Sequence, residues 1–135
     1  MSKGSRDLDY LDHIADRIRR IERVTVGVDL AGFLGNEDLQ ALIERHIEVI
    51  GEAAGKLSQQ ARDLAADVPW GQVIGARNVI IHGYAEIDPK RIWGMVKDHV
   101  PALHAAIDRL QSALRLARNE ADQTRGVGPH KDRDP

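Results

Sequence analysis

Residues 37–57 read EDLQALIERHIEVIGEAAGKL, with Leu39, Leu42, Ile43, His46, Ile47, Ile50, Ala53, Ala54 and Leu57 recurring three or four positions apart. That period winds the apolar positions into one broad stripe and predicts a helix that is the most buried element of the chain. Gly51 and Gly55 lie four apart inside it and so share a face, where the missing Cβ atoms allow a second helix to approach closely.

The flanking stretches carry the same period. Leu8, Leu11, Ile14, Ile18, Ile21 and Val24 mark an amphipathic first helix, with Arg17, Arg19, Arg20 and Glu22 among its polar positions. Between the two, residues 25–36 contain Gly27, Gly32 and Gly35 and read as a connection from which Phe33 and Leu34 pack inward. Val68-Pro69-Trp70 closes the polar segment after Leu57, because proline disfavours helical backbone in the residue before it. Trp70 then anchors a third core helix, roughly Gly71 to His82, with Gly83 placed to end it. Asp88-Pro89 is a restart with Asp as N-cap and Pro at the first helical position. Pro101 predicts a bend or a new start, followed by a long last helix through Leu103, Ile107, Leu110 and Leu114. No strand and no repeat is evident. The expected fold is all-α, an up-and-down bundle of four to five helices spanning residues 1–123, with a disordered charged tail at 124–135.

Composition narrows the chemistry. The 135 residues include no cysteine, which excludes a disulfide framework, a thiolate metal site and a cysteine nucleophile. No stretch approaches the roughly 18 apolar residues of a membrane span, and the first thirty residues lack the apolar core of a signal peptide. A soluble, cytoplasmic protein without membrane contact is expected. The net charge of −2 is not the footprint of a protein that coats nucleic acid, so any RNA contact must rest on a local cluster, such as Arg77 with Lys90, Arg91 and Lys97, and be steeply salt-dependent.

Polar groups interrupt the apolar third helix at Arg77-Asn78 and again at His82-Gly83-Tyr84. A permanently charged guanidinium and an imidazole with an ordinary pKa near ~6.5 are a minimal kit for cleaving RNA without a metal. His82 would move protons and Arg77 would hold the phosphate, with Asn78 fixing the imidazole tautomer. The same residues could equally cap carbonyls or pair with Glu86, and five positions on a helix separate Arg77 and His82 by about 140°. His46, on an apolar face, reads as a hydrogen-bonded core histidine. Asp9 and His13 offer two metal ligands without a third. No glycine-rich phosphate loop, nucleophile elbow or zinc-binding helix motif is present, and neither a metal nor a cofactor is expected.

Arg77, four residues, His82, one residue and Tyr84 resemble the signature of HepT-like toxins in the HEPN superfamily of helical ribonucleases. The likeness extends in order over roughly residues 8–115, through Tyr10-Leu11-Asp12-His13-Ile14, Ile50-Gly51-Glu52-Ala53, Val68-Pro69-Trp70, Asp88, Trp93 and Pro101-Ala102-Leu103. The resemblance implies a homodimer with Arg77 and His82 lining a cleft at its interface and acting as a metal-independent endoribonuclease. It also implies a type VII-like toxin–antitoxin pair, in which a minimal nucleotidyltransferase attaches AMP to Tyr84. The charged tail after Gln123 has no counterpart in the resemblance. A competing reading is a non-catalytic helical module that binds the nucleotidyltransferase or a nucleotide, with Arg77 and His82 structural.

Overall fold

The computed structural model describes the backbone at residues 3–82 and 87–133, and side chains at 6–80 and 87–124. All regular structure in these residues is helical. The order is α1 (Lys3–Thr25), α2 (Leu30–Leu34), α3 (Glu37–Lys56), α4 (Gln59–Asp63), α5 (Trp70–His82), α6 (Pro89–Gly94) and, after one π-helical turn at Met95–His99, α7 (Val100–Arg133). Helices α1, α3, α5 and the continuous α6–α7 rod form the bundle, while α2 and α4 are short connectors. Among the described residues no helix is long and apolar enough to cross a membrane. The helix α7 passes residue 123 without a break.

The apolar stripes predicted for α1 and α3 meet in the core. Leu11, Ile14, Ile18 and Ile21 of α1, Ile43 and Ala54 of α3, and Ile107 and Leu110 of α7 are all essentially sealed from solvent. Helix starts follow local chemistry. Asn36 accepts from the Leu39 N–H, Ser58 from the Ala61 N–H and Asp88 from the Lys90 N–H, each satisfying a first-turn donor that the helix leaves unpaired. The Trp70 indole donates to the carbonyls of Arg62 and Ala65, which fixes the start of α5 as expected.

One expectation needs correction. Residues 30–34 form a helical turn instead of an irregular connection, because the Asp29 carboxylate caps the Gly32 N–H and Phe33 is driven against Trp93, ring centroids 5.0 Å apart. Phe33 is buried, but Leu34, its neighbour on the turn, is 37% exposed. At Pro101 the chain passes from the π turn Met95–His99 into α7, which begins one residue earlier at Val100, the new start expected there. The π turn just before it lets the Val100 N–H reach back five residues to the Met95 carbonyl, a wider turn that accommodates a ring with no N–H to donate.

Polar contacts tie the helices together across long sequence separations. The buried Asp7 carboxylate accepts from both the backbone N–H of Ser58 (2.8 Å) and its hydroxyl (2.6 Å), joining the start of α1 to the α3–α4 corner. Asp12 accepts from Gln111 (2.8 Å) and Arg115 (3.0 Å) of α7. His46 is the hydrogen-bonded core histidine expected: it is 3% exposed, and Arg17 Nη1 lies 3.2 Å from its Nδ1. A guanidinium can only donate, so Nδ1 accepts and the neutral ring carries its proton on Nε2.

Burial is the main force lowering the His46 pKa, reinforced by Arg17, Arg20 and Arg23 and opposed by Asp16. Above the ordinary histidine value, near ~6.5, folded and unfolded chains both hold this ring neutral and it adds no pH dependence. As pH falls below that value the unfolded chain takes up the proton first, so stability declines by at most about 1.4 kcal/mol per pH unit until the lowered native pKa is reached. His46→Gln keeps an acceptor for Arg17 and should flatten this decline in urea unfolding curves recorded on either side of the window. An identical slope in both proteins would remove His46 as its source.

Candidate active site

The bundle is open on one side. Helix α3 packs along both α1 and α5, and α1 packs along α7, but α5 makes no comparable packing with α7. The missing seam is a groove of about 640 Å³, floored by Ile47 and Ile50 of α3 and walled by Val73, Ala76 and Val79 of α5 against Met95, Val100 and Leu103. Arg91, Asp98 and His99 also line it, the last two contributed by the π turn. α5 is apolar around most of its circumference, yet Val73, Ile74 and Val79 are only half-buried. An apolar helix in water normally has both sides covered.

Arg77 projects from this edge helix. Its Cβ sits so close to α3 that a Cβ built on Gly51 would lie 2.7 Å away, and 3.1 Å from the Val73 carbonyl oxygen. Gly51 is therefore the close-approach point that the spacing predicts. Gly55 is not, since a Cβ there would meet Ile74 Cγ2 at an ordinary 3.9 Å. Arg77 is half-buried, and its guanidinium has no hydrogen bond or ion pair among the described residues. Asn78, next along, is exposed.

His82 is the last residue of α5, and the helix is regular between it and Arg77. Their Cα atoms are thus about 7.5 Å apart along the axis and remain roughly 140° apart around it. The His82 side chain, Gly83, Tyr84 and Glu86 lie outside the described residues, so the tautomer role given to Asn78, the helix stop at Gly83 and the modification at Tyr84 have no geometry to set beside them.

Lys97 stands over the Trp93 ring, 5.5 Å from its centroid, and Arg91 lines the groove. Among the described residues no three histidine or acidic side chains converge as metal ligands. The groove and the basic side chains around His46 were not foreseen. Periodicity identifies an apolar face without saying which helix covers it, and the Arg17–His46 contact joins positions 29 residues apart.

Comparison with known proteins follows the same residues. The family described as Ribonuclease HepT-like matches residues 14–110, which include Gly51, Arg77 and His82. A protein of Thermococcus cleftensis named "Probable ribonuclease HepT" is 31% identical over 103 residues, covering 76% of this chain and 94% of that one. A protein of Methanocaldococcus jannaschii, named as an RNase, is 29% identical over 99 residues, 73% of this chain and 91% of its own. Another, from Caldanaerobacter subterraneus and also named as an RNase, is 30% identical over 102 residues, 75% and 90% of the two chains. No solved structure matches. With the match spanning most of the helical bundle and the open edge that carries Arg77, the chain belongs to the HepT-like ribonuclease family.

Proposed function

We propose that the protein is the toxin of a type VII-like toxin–antitoxin pair and cleaves RNA internally without a metal, using Arg77 and His82. The observation that carries this is Arg77 itself: a half-buried residue whose Cβ is pressed against Gly51 on an open edge helix, and whose guanidinium has no anionic partner among the described residues. A cation left unpaired on a residue whose base is seated this closely suits an anion supplied from outside, and its planar fork matches a phosphodiester.

His82 accepts the proton of a ribose 2′-hydroxyl as that oxygen attacks phosphorus, and the 5′ oxygen leaves and takes a proton. Arg77 stabilises the charge gathering on the non-bridging oxygens. The products are a 2′,3′-cyclic phosphate and a 5′-hydroxyl end.

A homodimer accounts for the open seam, since a second copy lying against α5 would cover its half-exposed apolar residues and bring two Arg77–His82 pairs towards one cleft. Control by a nucleotidyltransferase antitoxin falls on Tyr84, two residues beyond His82. AMP attached there places phosphate where the RNA phosphate would sit and repels the substrate.

The test is incubation of purified, unmodified protein with labelled RNA in excess EDTA. Fragments ending in cyclic phosphate are expected; intact RNA, once mass spectrometry has excluded a modified Tyr84, overturns the catalytic reading and leaves a module that only binds its partner. Tyr84→Phe should cleave RNA at a rate near that of the parent yet remain toxic when the antitoxin is co-expressed. A mutant still neutralised by AMP transfer would move the acceptor elsewhere.

A further inference from the structure

We infer that Arg17, Arg20 and Arg23 of α1 form a second phosphate-binding site, one that holds the RNA strand away from the cleavage residues; this rests on the ribonuclease reading above. The three residues follow at every third position and so wind as one ridge along the helix. Arg17 reaches the His46 ring itself, with Nη1 3.2 Å from Nδ1, and Arg20 and Arg23 follow it along the helix; all three act to lower the pKa of that ring, with Asp16 the carboxylate that opposes them. Asp16 is engaged by Arg20 at 3.1 Å. Arg17 and Arg23 have no carboxylate partner among the described residues. Arg45, the cation beside His46 on α3, is itself turned to Glu48 at 3.2 Å.

His46 explains how the first of these charges is held. Buried and neutral, it offers Nδ1 to one N–H of Arg17 at 3.2 Å and so fixes a guanidinium whose other donors remain for a ligand. An imidazole that accepted a proton would repel all three arginines, and burial keeps it from doing so. Arg17 and Arg23 thus carry positive charge without a carboxylate partner among the described residues, on a chain whose net charge is −2, and a phosphodiester is the anion that a ribonuclease meets in a row. Helix α3 separates this ridge from Arg77, because α1 and α5 both pack along it. The ridge therefore steers and retains the strand without touching the reacting phosphate.

The experiment measures binding of a labelled, uncleavable 2′-O-methyl oligonucleotide by fluorescence anisotropy across a salt series. Arg17→Gln/Arg23→Gln should weaken binding about tenfold at moderate salt and make the log–log salt slope shallower by about 1.4, two phosphate contacts at about 0.7 each on a single strand. The charge-matched control Arg115→Gln/Arg118→Gln on α7 should leave both unchanged. Arg23→Gln alone, an exposed site whose change cannot unfold the chain, should reduce the slope by about 0.7.

Equal slopes in the α1 variants and the parent overturn the site. So does loss of binding to inorganic phosphate or AMP with RNA affinity intact, which would make the ridge a pocket for free anions. Parent protein that neither binds nor cleaves RNA overturns the ribonuclease reading instead, and the two failures are thereby distinguished.

Discussion

His82→Ala and Arg77→Ala are each expected to leave a folded protein whose kcat/KM on labelled RNA has fallen by about 10²–10³ or more. A positioned acid–base group typically contributes about 10²–10⁴ in rate, and a preorganised donor to a developing oxyanion about 10²–10³. The two losses should differ in kind. Without His82 the proton transfers fall to water, so kcat drops while strand binding survives. Without Arg77 the phosphate loses both its anchor and its stabilising charge, so KM rises as kcat falls. Arg77→Lys keeps the charge but not the planar fork and should fall between. Arg77→Ala should not unfold the chain, because Arg77 holds no internal ion pair to break among the described residues. Single-turnover cleavage beside thermal unfolding separates these outcomes, and a His82→Ala protein as fast as its parent would remove the histidine from the chemistry.

Gly51→Ala is expected to destabilise the protein by about 1–3 kcal/mol, the usual cost of overpacking a tight contact, less up to ~1 kcal/mol that alanine returns through helix propensity. The added Cβ would sit 2.7 Å from the Cβ of Arg77 and 3.1 Å from a backbone oxygen, neither of them a flexible tip that can swing aside. Helix α5 must therefore move, and Arg77 with it. A displacement of about 1 Å can cost 10²-fold in rate, so catalysis should suffer more than stability does. Gly55→Ala is the internal comparison. Its Cβ meets only Ile74 at 3.9 Å, and the protein should gain about 0.5–1 kcal/mol with activity unchanged. Urea unfolding and initial cleavage rates on the two variants decide the matter. Equal responses would mean that α5 is not seated through Gly51.

That contrast marks where the sequence could be read and where it could not. The long helices follow from periodicity, and the starts at Asp88 and Trp70 from capping and proline chemistry, because these are local forces written in adjacent residues. Residues 30–34 were misread because three nearby glycines signal a loop, while the burial of Phe33 against Trp93 comes from a helix far along the chain. At Pro101 the new start was legible, but not the widening of the turn before it. The apolar character of α5 was plain, but its open side was not, since a hydrophobic pattern does not name the surface it packs on. Arg77 and His82 stood out as polar interruptions. That Gly51 seats Arg77, and that Arg17 leans on His46, required the third dimension.

The Asp7–Ser58 contact carries a consequence for how such chains diverge. Ser58 gives its N–H and hydroxyl to Asp7, 51 residues away, while its own oxygen caps the Ala61 N–H of α4. One hydroxyl thus serves two elements, and a substitution at either position strands a partner in a largely buried contact. Across relatives that share under a third of their residues, drift at these two positions should be coupled, with the acid and the hydroxyl kept or exchanged as a pair while the exposed residues around them vary freely.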